Sequence, residues 1–299
     1  MELRHLRYFV AVAETRHFGK AAEQLHMAQP PLSQAIRRLE KELGVELLRR
    51  TTRQVSLTGA GEVFRTDAQR ILKAVDEAVA RVGRFAAGAE GVLRIGLTGS
   101  AAYRQLPTLA RLMKREMPQV MLEVHTEMLT PAQESGLIER RLDIGVLRPP
   151  VRLDGIAHRP LDNEALVAVV PERHRLAGAD TVRIDELRHE DFIMYAATLG
   201  SVVNDAVVRA CLASGFYPHR AYEVTETSAA LALVAAGLGI AVLPDSIRAA
   251  PREGVLCKDI EDALSIPLAL AWREDDDSPL LHSLLTVLEQ NDLFLEGPA

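Results

Sequence analysis

Two cysteines and one tryptophan stand in 299 residues, and aromatic side chains of all kinds make up 4% of the chain. So few cysteines exclude a disulfide framework and fit a reducing cytoplasm. The longest apolar run, Ala229 to Leu243, is interrupted by Gly237 and Gly239 and falls short of the roughly 20 residues a membrane helix needs. The N-terminus has no signal-peptide core. No GxxxxGK[ST], GxSxG or HExxH occurs, and the nine histidines are scattered without zinc-ligand spacing. No catalytic residue, metal or cofactor is therefore expected, and an enzyme is the weaker reading.

Acidic character is also missing from one part of the chain. Residues 1–89 hold 15 Lys+Arg against 10 Asp+Glu, a balance of +5, whereas the remainder holds 20 against 31, a balance of −11. The overall charge of −6 hides a basic N-terminal segment, which is the electrostatic footprint of phosphate contact.

That segment contains two short helix-like stretches separated by a tight break. Ala21, Ala22 and Leu25 give the first a small apolar face, and His26, Met27 and Ala28 make the turn. Pro30 and Pro31 suit the first turn of the second helix, where a missing N–H is tolerated. Leu32, Ala35, Ile36, Leu39 and Leu43 then recur at helical spacing, and Gly44 ends the helix as a cap. Gln29, Ser33, Gln34 and Arg37 form the polar face at its start. Gln can pair with adenine, Arg with guanine and Ser with either, so this face suits a major groove. Leu47 to Thr58 reads as a wing of two short strands carrying Arg49, Arg50 and Arg53 toward phosphates.

Phe64, Ala68, Ile71, Val75, Ala78, Val82 and Phe85 step by four and three along the next helix, a coiled-coil seam that predicts a dimer. A hinge is expected near 86–91. Beyond it, strand-like and helix-like runs alternate, which predicts parallel sheets with helices on both faces. Ala165 to Val170 and Ile266 to Ala271 are expected to cross between two lobes. Four strand-to-helix junctions are rich in hydroxyls: Gly99-Ser100, Leu129-Thr130, Thr198 to Ser201, and Thr225 to Thr227. Each would bring helix amides to the cleft between lobes, an arrangement suited to a small carboxylate or dicarboxylate. Any single one of them is more simply a helix cap.

The N-terminal pattern resembles the LysR-type family of bacterial transcription regulators. The matching residues are Leu3-Arg4-His5-Leu6-Arg7-Tyr8-Phe9, Phe18 with Ala21-Ala22 and Leu25, Gln29-Pro30 with Leu32-Ser33-Gln34, Ile36, Leu39-Glu40 and Leu43-Gly44, then Leu47 to Arg50 and Leu57-Thr58 with Gly59 and Gly61. The resemblance implies an N-terminal all-α winged helix-turn-helix (1–58), a linker and dimerisation helix with hinge (59–90), and a C-terminal α/β two-lobed domain of the periplasmic-binding-protein type (91–299). Lobe I would comprise about 91–161 and 272–299, and lobe II about 165–268. It further implies a cytoplasmic activator that binds double-stranded DNA through Gln29, Pro30, Pro31, Ser33, Gln34, Arg37, Arg50 and Arg53. Homodimers or homotetramers and RNA polymerase complete the implied partners.

Within the family, Gly99-Ser100-Ala101-Ala102 with Leu106-Pro107, and Glu223-Val224 through Gly239-Ile240, are most similar to regulators that respond to muconate or benzoate. On that resemblance Ser100 and Thr130 are effector-contacting hydroxyls, the Thr198 to Ser201 loop supplies amides beside Thr227, and Arg148 falls at a second acid-binding position. Two alternatives stand beside this reading. One is redox sensing through Cys211 and Cys257. The other is a small-molecule enzyme with an N-terminal interaction module.

Overall fold

Leu6, Phe9, Val12 and Ala13 form the buried stripe of α1 (Leu3–Thr15), the first element of a computed structural model that describes residues 1–50, 55–261 and 264–295. The chain divides into two compact units, Met1–Arg84 and Phe85–Ala299.

In the first unit, α1 packs on α2 (Phe18–Gln24) and α3 (Gln29–Leu43). His17 caps α2: its Nδ1 accepts from the amides of Gly19 at 3.0 Å and Lys20 at 3.2 Å. His26, at φ 54, turns the chain between the two helices. Leu32, Ile36 and Leu39 are fully buried, but Leu43 is exposed, so the apolar row of α3 ends one turn earlier than its spacing suggests. Gly44 caps that helix in the left-handed region, at φ 71.

β1 (Leu48–Arg50) pairs antiparallel with β2 (Val55–Leu57), which forms the wing. The long α4 (Gly59–Ala86) follows. A Cβ on Gly61 would lie 2.1 Å from the Leu47 carbonyl oxygen, so close packing of helix on wing requires glycine there. The seam residues of α4 divide into two groups. Ala68 is buried in the first unit's core, with Phe64 packed against it and 5.1 Å from the Phe9 ring. Val82 and Phe85 remain exposed. Phe64 and Ala68 are thus claimed by their own unit, and the seam is open to a partner at Ile71 and again at Val82 and Phe85.

The second unit begins with β3 (Glu90–Leu97), α5 (Ala101–Glu116), β4 (Gln119–His125), α6 (Thr130–Ile138) and β5 (Ile144–Leu147). β3 pairs in parallel with both β4 and β5. The chain then runs through β6 (Ile156–Pro171), β7 (Thr181–Val182), β8 (Asp191–Tyr195), α7 (Val202–Ala213), β9 (His219–Val224), α8 (Thr227–Ala235), β10 (Ala241–Pro244), β11 (Val255–Ile260), β12 (Ser265–Arg273) and α9 (Pro279–Gln290). One apolar core forms around β3, β5, α5 and α9; others form around β6, β8, β10, α7 and α8.

β6 and β12 connect these cores as an antiparallel pair, and β5, β10 and β11 also join them in antiparallel fashion. The expectation of parallel sheets thus holds for β3 with β4 and β5 and for β8 with β9, while the crossing strands add antiparallel pairings. Alternation along the sequence locates strands but gives no direction to those that return through a shared crossing. The turn at Arg273 to Asp277 departs in one respect from a solvated turn. Arg273 is buried, donating to the carbonyls of Leu137 at 3.2 Å and Leu142 at 2.7 Å and pairing with Asp276. Ser278 caps α9 and Pro279 opens it.

Candidate functional site

On the first unit, the buried row of α3 turns its polar row outward. Gln29, Pro30, Pro31, Gln34 and Arg37 are exposed and Ser33 is half-buried. Among the described residues, Gln29, Gln34 and Arg37 make no side-chain hydrogen bond and Arg37 makes no ion pair. Ala28, the residue before the helix, offers its first turn no side-chain acceptor, which suits a phosphate oxygen there. Arg49 is exposed on the wing. Arg50 differs: its Nη2 donates to Glu40 Oε2 at 2.6 Å, and its guanidinium lies 5.1 Å from the Phe18 ring. Glu40 Oε1 also accepts the amides of Leu47 and Leu48, each at 3.0 Å. Arg50 and Glu40 thus tie the wing to α3, a role the sequence reading missed although both residues are in its motif. Arg53 lies outside the described residues.

In the second unit, the C-terminal ends of β3 and β5 bring Ser100 and Arg148 together. Arg148 Nη2 donates to Ser100 Oγ at 3.1 Å and to the Glu164 carboxylate, and Nη1 reaches the Pro267 carbonyl at 3.4 Å. Thr130 Oγ1 donates to the Arg148 carbonyl at 2.8 Å and accepts its amide at 3.1 Å. Ser100, Thr130, Arg148 and Glu164 are all buried. Arg148 is therefore neutralised by Glu164 and does not offer a free charge to an incoming acid. No sequence pattern signalled Glu164, because it lies in the middle of a long strand.

Of the four junctions, only Ser201 acts as a cap through its side chain, its Oγ accepting the Asn204 amide at 3.3 Å. Thr198 is exposed in the short turn before it. Thr227 is fully buried, and its Oγ1 shares a 2.6 Å hydrogen bond with the Tyr195 hydroxyl. Burial pushes that phenol up to about 12.

Thr130, Gly200 and Val202 line a common pocket of about 260 Å³ with Pro267, Arg152 and Arg209. The junctions at Thr130 and Ser201 thus border one space. Ser100 and Arg148 do not line it; Ser100 is bonded to Arg148, whose backbone Thr130 holds, and Thr227 meets Gly99 beside Ser100. Arg152 and Arg209 form no ion pair among the described residues. On α5, Arg104 Nη2 donates to Asp245 Oδ2 at 2.9 Å. No cluster of His, Cys, Asp and Glu suited to a metal occurs among the described residues, and no helix among them is long and apolar enough to cross a membrane.

Burial raises both thiols above the ordinary range, Cys211 to about 11. Neither is poised as a thiolate.

Residues 3–62 match the family described as "Bacterial regulatory helix-turn-helix protein, lysR family". Residues 86–292 match the "LysR substrate binding domain". The chain is 35% identical over 288 residues to the HTH-type transcriptional regulator AlsR of Bacillus subtilis, covering 96% of this chain and 95% of AlsR. It is 40% identical over 283 residues to the HTH-type transcriptional regulator YnfL of Escherichia coli, covering 93% of this chain and 95% of YnfL. Among solved structures it matches CbnR, a LysR family transcriptional regulator, with TM-score 0.81 and 29% identity over 96% of this chain and all of CbnR. It also matches full-length CbnR complexed with its target DNA, with TM-score 0.76 and 29% identity over 97% of this chain and 99% of that one.

Proposed function

The chain belongs to the LysR family of bacterial transcription regulators, and on that premise we propose that it reads its operator with the first turns of α3 and answers to a small organic acid held between the lobes of its second unit. It is a DNA-binding regulator with an effector-binding domain, as its relatives are named.

The observation that carries the DNA reading is the outward polar row of α3. Gln29, Gln34 and Arg37 stand exposed while the opposite row is locked in the core. Base edges would be read by Gln29, Ser33, Gln34 and Arg37, with Pro30 and Pro31 shaping the approach. Arg49 would meet phosphate, and Arg53 would extend that contact. We take 1–58, 59–90 and 91–299 as the working domains. Two chains would pair through the exposed part of the α4 seam, giving two reading helices for a dyad-symmetric site, and dimers would pair again into a tetramer. Activation through contact with RNA polymerase, in the cytoplasm where the DNA lies, completes the reading.

In vitro selection from random duplex DNA tests it. Enrichment of a dyad-symmetric sequence whose affinity falls steeply with salt is expected. Enrichment of nothing above background would overturn it.

For the effector, the supporting geometry is the convergence of Ser100, Thr130, Ser201 and Thr227 on one interlobe region, with the pocket beside Thr130. A carboxylate would be received by the amides of the Thr198 to Ser201 turn and by the hydroxyl proton of Ser100, beside Thr130, whose own proton is held by the Arg148 carbonyl. Muconate and benzoate are the acids the segment resemblance brings forward. Calorimetric titration of the full chain with both is the direct test, and Ser100→Ala should weaken binding while operator affinity stays intact.

A further inference from the structure

Glu127 stands where a ligand's acid group would be expected. It lies in the loop between β4 and α6, in the left-handed region at φ 57. Its Oε2 accepts the Thr227 amide at 3.0 Å and the Thr227 hydroxyl at 3.1 Å, at the first residue of α8. The same oxygen lies so near Gly99 that a Cβ there would come within 2.0 Å of it. Glycine on one side and a helix amide on the other therefore form a cradle, and the protein's own carboxylate fills it. The N-terminal end of α8 already has its anion.

Further observations bear on the charge of this region. Glu127 pairs with no cation among the described residues, and its Oε1 takes no hydrogen bond there. One residue beyond Gly99, Ser100 joins Arg148, whose single positive charge is taken by Glu164. In that buried pair, Glu164 Oε1 and Arg148 Nε have no partner. Arg104 gives no relief, since Asp245 engages it. Arg252 is felt electrostatically at Tyr103 but forms no ion pair with Glu127. The Tyr195 phenol, hydrogen-bonded to Thr227, feels both Glu127 and Arg148. The stretch Gly99-Ser100 thus adjoins Glu127 on one side and the Arg148–Glu164 pair on the other, two carboxylates for one guanidinium. A half-buried surplus carboxylate with a free oxygen favours a donor that carries positive charge over a second anion.

We propose that Glu127 determines the ligand class of this cleft: it excludes a second carboxylate from the α8 end and receives a cationic nitrogen, so that the effector is an amino-bearing acid rather than a dicarboxylate. This rests on the reading of the interlobe cleft as the effector site. A dicarboxylate such as muconate would set its second charge against Glu127. An ammonium in the same place would gain a charge-assisted hydrogen bond to Oε1.

Matched ligands test it on the full chain at neutral pH. Succinate is paired with 3-aminopropanoate, glutarate with 4-aminobutanoate, and adipate with 5-aminopentanoate; the twenty amino acids are screened alongside. Binding is read by calorimetry and by thermal shift. In each pair that binds, the amino member should win by about tenfold or more, as for a charge pair in a partly desolvated site. Glu127→Gln should erase or invert that preference, and Glu127→Asp should keep it. Far-UV circular dichroism establishes that both variants fold. Equal affinities within the pairs, or a preference for dicarboxylates that Glu127→Gln leaves unchanged, would overturn the charge assignment and leave the cleft standing. Binding of no compound to either protein would overturn the cleft reading and this proposal with it.

Discussion

Arg148 and Glu164 form an ion pair shut off from water, with side chains 3% and 0% exposed. They join the end of β5 to the long strand β6. Removing one partner leaves an isolated buried charge, whereas replacing both can be nearly neutral. Arg148→Met should therefore lower the unfolding free energy by about 3–5 kcal/mol, and Arg148→Met with Glu164→Leu should recover most of it. Urea unfolding of the three proteins checks this. Equal losses in the single and double variants would deny the coupling.

Arg37 and Arg50 should separate cleanly. Arg37 is exposed and has no ion-pair partner among the described residues, so Arg37→Ala should relax preference at one base pair by about 1–3 kcal/mol with melting unchanged. Arg50 and Glu40 hold the wing. Glu40→Ala removes the acceptor of three donors, so stability should fall by about 1.5–3 kcal/mol and DNA of every sequence should bind less well. Binding to a set of operator variants, read beside thermal melts, tests both halves.

Val79, Val82 and Phe85 are 69%, 70% and 68% exposed on α4. Val82→Glu with Phe85→Glu should shift the chain toward monomer in sedimentation velocity while the first unit stays folded. Ala68→Glu on the same seam should instead unfold that unit, because Ala68 is in its core. An unchanged sedimentation coefficient for the first variant would remove this face from the assembly.

Tyr195 predicts an alkaline weakness. Its folded value of about 12 lies above the ordinary 10.0 because burial disfavours the phenolate. A raised acid binds its proton more tightly when folded, so its contribution is complete below pH 10 and is lost as pH climbs toward 12. Tyr195→Phe should flatten stability over that window alone. An identical slope in wild type and variant would place the loss elsewhere.

Cys211 is fully buried and held near 11. A thiol reagent at pH 8 should modify it only on unfolding, and Cys211→Ser with Cys257→Ser should keep operator affinity under peroxide. Fast labelling of Cys211 in the native chain would reopen redox sensing.

The reading helix was legible because one short segment had to satisfy two demands: Leu32, Ile36 and Leu39 face the core at helical spacing, and the polar residues between them have nowhere else to point. The prolines and Gly44 marked its ends for equally local reasons. The effector region was legible only as a set of junctions. Ser100, Thr130, Ser201 and Thr227 look alike as small hydroxyl residues before helices, yet one caps and three bond elsewhere. Their partners, Arg148, Glu127 and Tyr195, come from distant strands and loops, and pairing at such separation leaves no local pattern. Glu127 was invisible for the same reason. So was the direction of β6 and β12, since an apolar run reads alike in parallel and antiparallel company. On α4, spacing alone cannot say which part of the apolar row its own unit has already covered.

The pairing of β6 with β12 skips one residue, Leu161, where Leu268 faces Asp162 and Ala269 faces Pro160. Two hydrogen-bonded strands resist stretching and sliding, whereas a bulge concentrates twist and bend at one point. The lobes are thus mounted on a short torsion bar with a single soft link. Closure of the lobes on a ligand should therefore take the form of rotation about that link, an angle turned rather than a distance closed.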